Sequence, residues 1–563
     1  MASGMRRGLT SYGDPDFSAY LRKAFIKALG YSDDAIGRPI VGITNTYSDF
    51  NPCHGNVPPL IEAVKRGVML AGGMPMVFPT ITLHESFAFP TSMFLRNLMS
   101  MDTEEMIRAL PVDSVVMIGG CDKTLPAQIM AAASVDRPAI MLPTGPMLTG
   151  WHRGERLGAC TDCRRFWASY RGGDIDSEEI ETVSGRLVPS VGTCSVMGTA
   201  STMAGLCEVL GLSLPHSGSI PAVHADRMRS AEETGRRAVE LSRSGPTPRQ
   251  ILTQKSFSNA MALLQALGGS TNAVIHLAAI AGRVGLKLDY DELDRLGREV
   301  PVLADLKPSG QYYMDDFHVS GGFPALMAEI RDFLHTDVET VSPLPFAEVL
   351  DAAAKDPTPR KAIRKRDDPV SAEGAIAILR GNLAPTGAVI KQSAASPALM
   401  QHEGKAVLFD GVDDLVARID SPDLDVNPED ILVLRNAGPR GGMGMPEAGY
   451  LPIPAKLARQ GVKDMVRISD ARMSGTGFGT IVLHISPEAA VGGPLALVRS
   501  GDRIRLDVAA RQLDLLVSDA ELDERRSQWS PAQPRKRGYA RLFDQTVTQA
   551  DKGCDFDFLA DAE

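Results

Sequence analysis

The amino-acid sequence predicts an α/β protein, with an N-terminal α/β domain on a parallel sheet followed by a smaller β-rich, barrel-like C-terminal domain. Two patterns predict it. From about residue 36, short β-branched runs alternate with amphipathic stretches, the βαβα order of a parallel sheet with helices on its faces. Beyond residue 369 the hydrophobic period turns to two.

In the first half the alternation reads PIVGITNT, PPLIEAVKRGVMLAGG, PMVFPTIT, SMFLRNLMSMDTEEMIRAL, SVVMIGG, PAQIMAAASV and PAIMLPTG. Residues 196–211 and 226–283 read mostly as helices, the second stretch broken at GGSTNA (268–273). KDPTPRKAIRKRDDP (355–369) is charged, carries three prolines and reads as a linker, which divides the chain into domains 1–354 and 370–563. In the second domain KAVLF, DILVLRN, GTIVLHI, DRIRLDV and QLDLLVS read as strands. Ile504, Leu506 and Val508 alternate with Arg503, Arg505 and Asp507, as a half-buried antiparallel ribbon requires.

Bulk composition narrows the function. The chain has 563 residues, 44% of them hydrophobic, enough for two or more domains with sizeable cores. Its 59 Lys plus Arg against 69 Asp plus Glu give a net charge of -10, and no basic run of nucleic-acid-binding length is present, so no nucleic-acid partner is expected. MASGMRRGLTSYGD has no apolar stretch after its arginines, and no window reaches the roughly 18 apolar residues of a bilayer span. A cytoplasmic protein without membrane attachment is the expectation. Seven cysteines are too few and too irregular for a disulfide framework, which leaves thiolate ligation open.

Ligands of parallel α/β sheets collect beyond the carboxyl ends of the strands. The residues there are Cys53 in NPCHGN, Glu85 in LHES, and Cys121, Asp122 and Lys123 in CDKT. Cys53, Cys121 and Cys194 each sit in a Gly- or Pro-containing loop, either as ordinary buried thiols or as ligands, and spacing alone does not decide. CTDC (Cys160 and Cys163) is the lone Cys-x-x-Cys pair, lacks a second half-site and is expected to be incidental, as are Cys207 and Cys554. Glu85, Asp122 and Glu447 of GGMGMPEAG are hard oxygen donors of the kind Mg²⁺ takes, or else solvated loop carboxylates. Lys123 reads as an ion-pair partner, or as a buried amine modified to carry negative charge. Ser474, in the Gly-rich RISDARMSGTGFGT (467–480), is an activated hydroxyl or a simple cap. GGMGMPEAG departs from the dinucleotide fingerprint at Glu447, and no phosphate-binding G-x-x-x-x-G-K-[ST] loop occurs.

CDKTLPAQIMA (121–131) and SDARMSGTGFG (469–479) resemble the two signature segments of the dihydroxy-acid dehydratase and 6-phosphogluconate dehydratase family. NPCHGN (51–56), GTCSVMGTASTM (192–203), GGSTNAVIHLAAIAG (268–282), PSGQYYMDDFHVSGG (308–322) and SPEAAVGGPLALVRSGDRI (486–504) extend the resemblance over nearly the whole chain. The resemblance implies a [2Fe-2S] cluster on Cys53, Cys121 and Cys194, with one iron left open for substrate. It implies Mg²⁺ on Glu85, Asp122, Glu447 and a carbamylated Lys123, with Ser474 as base; Thr476, two residues on, is expected to lie close enough to assist in positioning or proton delivery.

Where amino-acid-biosynthetic members read DGRFSGG or DGRFSGA, this chain has Ala471, Met473 and Thr476, and DARMSGT is similar to the sugar-acid (aldonate) dehydratases. GPMLTGWHRGERLGA (145–159) points the same way, whereas LPHSGSIPAVHADR (214–227) is similar to the biosynthetic enzymes too. The expected activity is dehydration of a 2,3-dihydroxy acid, a polyhydroxy sugar acid, to a 2-keto-3-deoxy acid by a homodimer or homotetramer. The alternatives are a branched-chain dihydroxy-acid dehydratase, an iron-sulfur electron-transfer protein, and a catalytically dead scaffold.

Overall fold

A computed structural model describes residues 3–9 and 12–560; Met1, Ala2, Thr10, Ser11 and residues 561–563 lie outside the described residues. The N-terminal half holds a four-stranded parallel sheet of β1 (Ile40–Asn45), β2 (Met74–Pro79), β3 (Ser114–Gly119) and β4 (Ala139–Pro143), in the order β2-β1-β3-β4. β1 pairs Ile40 with Met74 on one side and Val41 with Ser114 on the other. Every residue of β3 and β4 is buried, because helices cover both faces, and this is why the strands read as unbroken apolar runs.

The covering helices pack closely. A Cβ at Gly67 of Val57–Leu70 would fall 1.8 Å from the carbonyl oxygen of Glu232, and one at Gly235 of Ala225–Ser244 would fall 2.3 Å from that of Val64. Two glycines therefore let these backbones touch. After β4 come the hairpin β5 (Gly150–His152) and β6 (Glu155–Leu157), the helix Thr161–Gly172, and a helical region. In that region Gln254–Ala266 and Asn272–Arg283 are separated at GGST, as the sequence predicts.

The C-terminal half closes into an eight-stranded barrel. Its strands are β7 (Ile376–Gly381), β8 (Ala384–Lys391), β9 (Gln401–Asp410), β10 (Ile431–Arg435), β11 (Arg467–Ser469), β12 (Ile481–Ser486), β13 (Arg503–Asp507) and β14 (Gln512–Leu515). Around the barrel the order is β10-β11-β12-β8-β7-β14-β13-β9. β9, β10, β11 and β12 run parallel to one another, while β12 pairs antiparallel with β8 and β13 pairs antiparallel with β14 and β9. Ile504 and Leu506 face the lumen and Arg503 and Arg505 face outward, the alternation the sequence shows.

The two halves share a core. Ala377 and Leu379 of β7 fill the barrel, while Ile376 and Ile378 pack into the hydrophobic mass of the parallel-sheet half. Between the helix Phe346–Lys355 and β7 the chain is largely irregular, with Ile363 bridging Ala304 and Ser371 bridging Val302. The C-terminal segment also returns to the first half. Arg96 and Asn97 donate to the carbonyl of Cys554, and Arg283 pairs with Asp555. Among the described residues no helix is long and apolar enough to cross a membrane.

Candidate active site

The ends of β1 and β3 carry the first two thiols. Cys53 lies in the turn Pro52–His54 after β1, and Cys121 follows β3. His54 ties the two loops together: its Nδ1 donates to the Thr46 carbonyl (2.8 Å), and Nε2 accepts from the backbone N–H groups of Gly120 (2.9 Å) and Cys121 (3.0 Å). Complete burial pushes the imidazole down to about 4, which keeps Nε2 an acceptor. Thr144 holds the Cys53 carbonyl at 2.9 Å, and a Cβ at Gly120 would fall 1.8 Å from the Thr144 hydroxyl, so only glycine fits between the loops.

Cys53, Cys121 and His84 bring one donor atom each within 4.8 Å of one another. Cys194, in the loop before the helix Thr199–Val209, has a different neighbour: its Sγ lies 3.4 Å from that of Cys160. CTDC is thus not remote from the other cysteines. No strand-helix context for it is visible in the sequence, because β5 and β6 have three residues each and carry no periodic signal. Cys160 occupies the N-cap position of the helix Thr161–Gly172 directly after that hairpin. Cys163 sends its Sγ to the Cys160 carbonyl (2.7 Å), while Cys207 and Cys554 are buried. The thiols work in pairs. A hydrogen bond from Cys121 pulls Cys53 down to about 6 against its burial, and contacts from Cys163 and Cys194 hold Cys160 well below the usual thiol range.

A second cluster adjoins the first. Carboxylate oxygens of Glu85, Asp122 and Glu447 lie within 4.8 Å of one another. Glu85 follows β2, Asp122 follows Cys121, and Glu447 comes from the barrel half. The fully buried Lys123 places Nζ 2.5 Å from Asp122 and 3.7 Å from Glu85. Arg472, which the sequence reading did not single out, is also fully buried and spans Glu85 (2.9 Å) and Glu447 (2.6 Å). Thr91 and Ser92 donate to Glu85 as well. Burial opposes ionisation at Glu85, but Arg472 and Lys123 outweigh it and hold the carboxyl well below its usual range; at Glu447 burial, aided by Glu85, wins and raises it.

The loop after β11 delivers the hydroxyls. Asp470 anchors it by accepting from the backbone N–H groups of Ala437 and Ala489, each at 3.0 Å. Gly475 seats against the other half of the molecule, where a Cβ would come within 2.6 Å of Ser270 and 2.8 Å of the Thr199 nitrogen. Lys391, buried with its Nζ 3.3 Å from the Gly475 carbonyl, is pushed by burial down to about 7. Ser474 Oγ and Thr476 Oγ1 lie 2.9 Å apart, and the Thr476 carbonyl accepts from Thr161 at 3.2 Å.

The parallel-sheet half and the barrel thus bring together soft thiols, hard carboxylates with two buried cations, and a hydroxyl pair carried by the barrel loop. A family model described as dihydroxy-acid/6-phosphogluconate dehydratase N-terminal matches residues 38–349, and its C-terminal counterpart matches 361–554. The chain belongs to this dehydratase family. It is accordingly a hydro-lyase. It is 46% identical to a 6-deoxy-6-sulfo-D-gluconate dehydratase of Pseudomonas putida, over 94% of this chain and 92% of the relative. With an L-arabonate dehydratase of Azospirillum brasilense it shares 46% identity over 97% and 96% of the two chains. A dihydroxy-acid dehydratase of Acetivibrio thermocellus is 38% identical over 94% and 96%. The similarity is thus higher to relatives named for sugar acids.

The donor sets fit the cofactors the family implies. Clustered thiols suit iron-sulfur chemistry, and three converging carboxylates suit Mg²⁺.

Proposed function

We propose that this dehydratase converts a 2,3-dihydroxy acid of the aldonate class to the 2-keto-3-deoxy acid and water, using an iron-sulfur cluster and Mg²⁺. Cys53, Cys121 and Cys194 would hold a [2Fe-2S] cluster; Glu85, Asp122, Glu447 and Lys123, the last as a carbamate, would hold Mg²⁺. The observation that carries the reading is the seating of the barrel loop, whose Arg472 binds Glu85 and Glu447 two residues before Ser474. Such a site serves proton abstraction next to a carboxylate better than electron transfer, which needs no hydroxyl base.

The reaction removes the C2 proton and the C3 hydroxyl, and the resulting enol tautomerises to the 2-keto acid. When bound, Mg²⁺ and the cluster supply Lewis-acid stabilisation of the enolate and of the departing hydroxyl. Ser474 takes the C2 proton. Its hydroxyl is far too weak an acid to serve unaided at neutral pH, so the alkoxide depends on nearby positive charge. Thr476 Oγ1, at 2.9 Å, gives that oxygen a fixed hydrogen-bond partner. Arg472 bridges Glu85 and Glu447, and together with Lys123 it holds the Glu85 carboxyl well below its usual range.

Higher identity to the sulfogluconate and arabonate dehydratases than to the dihydroxy-acid dehydratase supports the aldonate class. Exposed Phe17, Tyr20, Phe25 and Leu29 at the N-terminal helix support a homo-oligomer, and a cytoplasmic location accords with the thiol-based site. The test is the iron and sulfide content of anaerobically purified protein. The reading expects both in the wild type and their loss in Cys121→Ser; an iron-free wild type, or full iron in Cys121→Ser, would overturn the cofactor assignment.

A further inference from the structure

We propose that Cys160 is a fourth cluster thiolate in the resting enzyme, closing the iron position that substrate later takes. The inference rests on the reading that Cys53, Cys121 and Cys194 hold an iron-sulfur cluster, and it adds a residue outside that set. The motivating observation is that the four thiols form two pairs. Cys53 and Cys121 converge with His84, and Cys160 Sγ lies 3.4 Å from Cys194 Sγ. Two thiolates on one tetrahedral metal, each at about 2.3 Å, lie about 3.8 Å apart, so the Cys160–Cys194 pair needs only a small side-chain adjustment to share an iron. A cluster of two irons takes four cysteines when fully ligated.

The position of Cys160 is built from both sides. Asp162, two residues on, is buried and accepts from the Gly158 N–H at 2.7 Å. Arg165 and Lys307 neutralise it, at 3.0 and 3.3 Å. A Cβ at Gly158 would meet Val196 at 2.5 Å, which presses the hairpin against the Cys194 loop. On the other side Thr161 donates to the Thr476 carbonyl, which links Cys160 to the loop carrying Ser474. Cys163 is directed elsewhere, at the Cys160 carbonyl.

A permanently closed iron could not bind the substrate hydroxyl, so Cys160 must be displaceable. On a bound cluster, its sulfur would leave iron with the electron pair of the bond and a hydroxyl oxygen of the substrate would donate a pair in its place, with no change of oxidation state. Cys160 stands at the N-cap position of the helix Thr161–Gly172, with no side-chain cap hydrogen bond holding its sulfur.

Iron-edge X-ray absorption on anaerobic holoenzyme counts the ligands directly, with resonance Raman as the second readout. The expected result is an all-sulfur first shell in the resting wild type and an added oxygen on saturation with L-arabonate as the probe aldonate. In Cys160→Ser or Cys160→Ala the oxygen is expected before any aldonate is added, with Cys163→Ser unchanged from wild type. An oxygen ligand in the resting wild type, or Cys160 variants with spectra superimposable on it, would overturn the proposal while leaving the cluster reading intact. A wild type without iron would instead overturn that reading, and this one with it.

Discussion

Ser474 and Arg472 stand two positions apart on one loop, and their removal should read out differently. If Ser474 only shaped its turn, Ser474→Ala would cost about 1 kcal/mol of stability and little activity. As the base, its loss lowers turnover by about 10²- to 10⁴-fold, abolishes exchange of the C2 hydrogen with solvent, and leaves iron content unchanged. Near-normal turnover would send the search for the base to His84 or Lys123. Arg472→Met instead removes a fully buried cation from between Glu85 and Glu447. Breaking such a pair costs about 3–5 kcal/mol, because the partners stay buried and unbalanced. The thermal midpoint should fall, and added Mg²⁺ should restore part of it by supplying the missing charge. An unchanged midpoint would show that the carboxylates do not depend on Arg472.

At the scale of elements, the seating of the barrel loop can be tested at Gly475. Gly475→Ala puts a methyl group 2.6 Å from Ser270 and 2.8 Å from the Thr199 nitrogen, so the loop must lift off the helix start. Overpacking of this kind costs about 1–3 kcal/mol, and turnover should fall together with it. Wild-type turnover in this variant would mean that the contact does not position Ser474. The neighbouring Lys391 gives a pH signature. Burial depresses its folded-state value to about 7, so between that value and the unfolded one of about 10.4 the unfolded chain binds more protons. Stability therefore rises with pH across this window, by up to about 1.4 kcal/mol per unit. Lys391→Met removes that contribution, and its midpoint-versus-pH curve should be flatter than wild type between pH 7 and 10. Parallel curves would contradict the burial of a neutral amine.

The same scale shows what the sequence revealed. β1, β3 and β4 were legible because short apolar runs are bounded by Gly or Pro, before β1 at Pro39 and at the ends of β3 and β4, and the β13–β14 ribbon because one face is wet. β7 and β8 escaped notice: both faces of β7 are buried, so polar residues do not alternate, and β11 is only three residues long. At the site, Cys53, Cys121, Asp122 and Glu85 followed from strand ends. Arg472 did not, since an arginine reads as a surface residue until partners such as Glu85, 387 positions away, are known to meet it. Cys160 was hidden for a similar reason, its neighbour Cys194 being reached only through tertiary packing.

For the whole molecule, the defining feature is a site assembled from both halves. Thiols and Asp122 come from the parallel-sheet half, Glu447, Arg472 and Ser474 from the barrel half, and the shared core plus the returning C-terminal segment fix their relation. The central claim is that this site dehydrates aldonates with an iron-sulfur cluster and Mg²⁺. The most direct measurement is keto-acid release by anaerobically purified, iron-replete enzyme with Mg²⁺, comparing pentonates and hexonates with 2,3-dihydroxyisovalerate. The account predicts Mg²⁺-dependent release with kcat/KM for at least one aldonate well above that for the branched-chain acid; a preference for 2,3-dihydroxyisovalerate, or release unaffected by removing both metals, would contradict it.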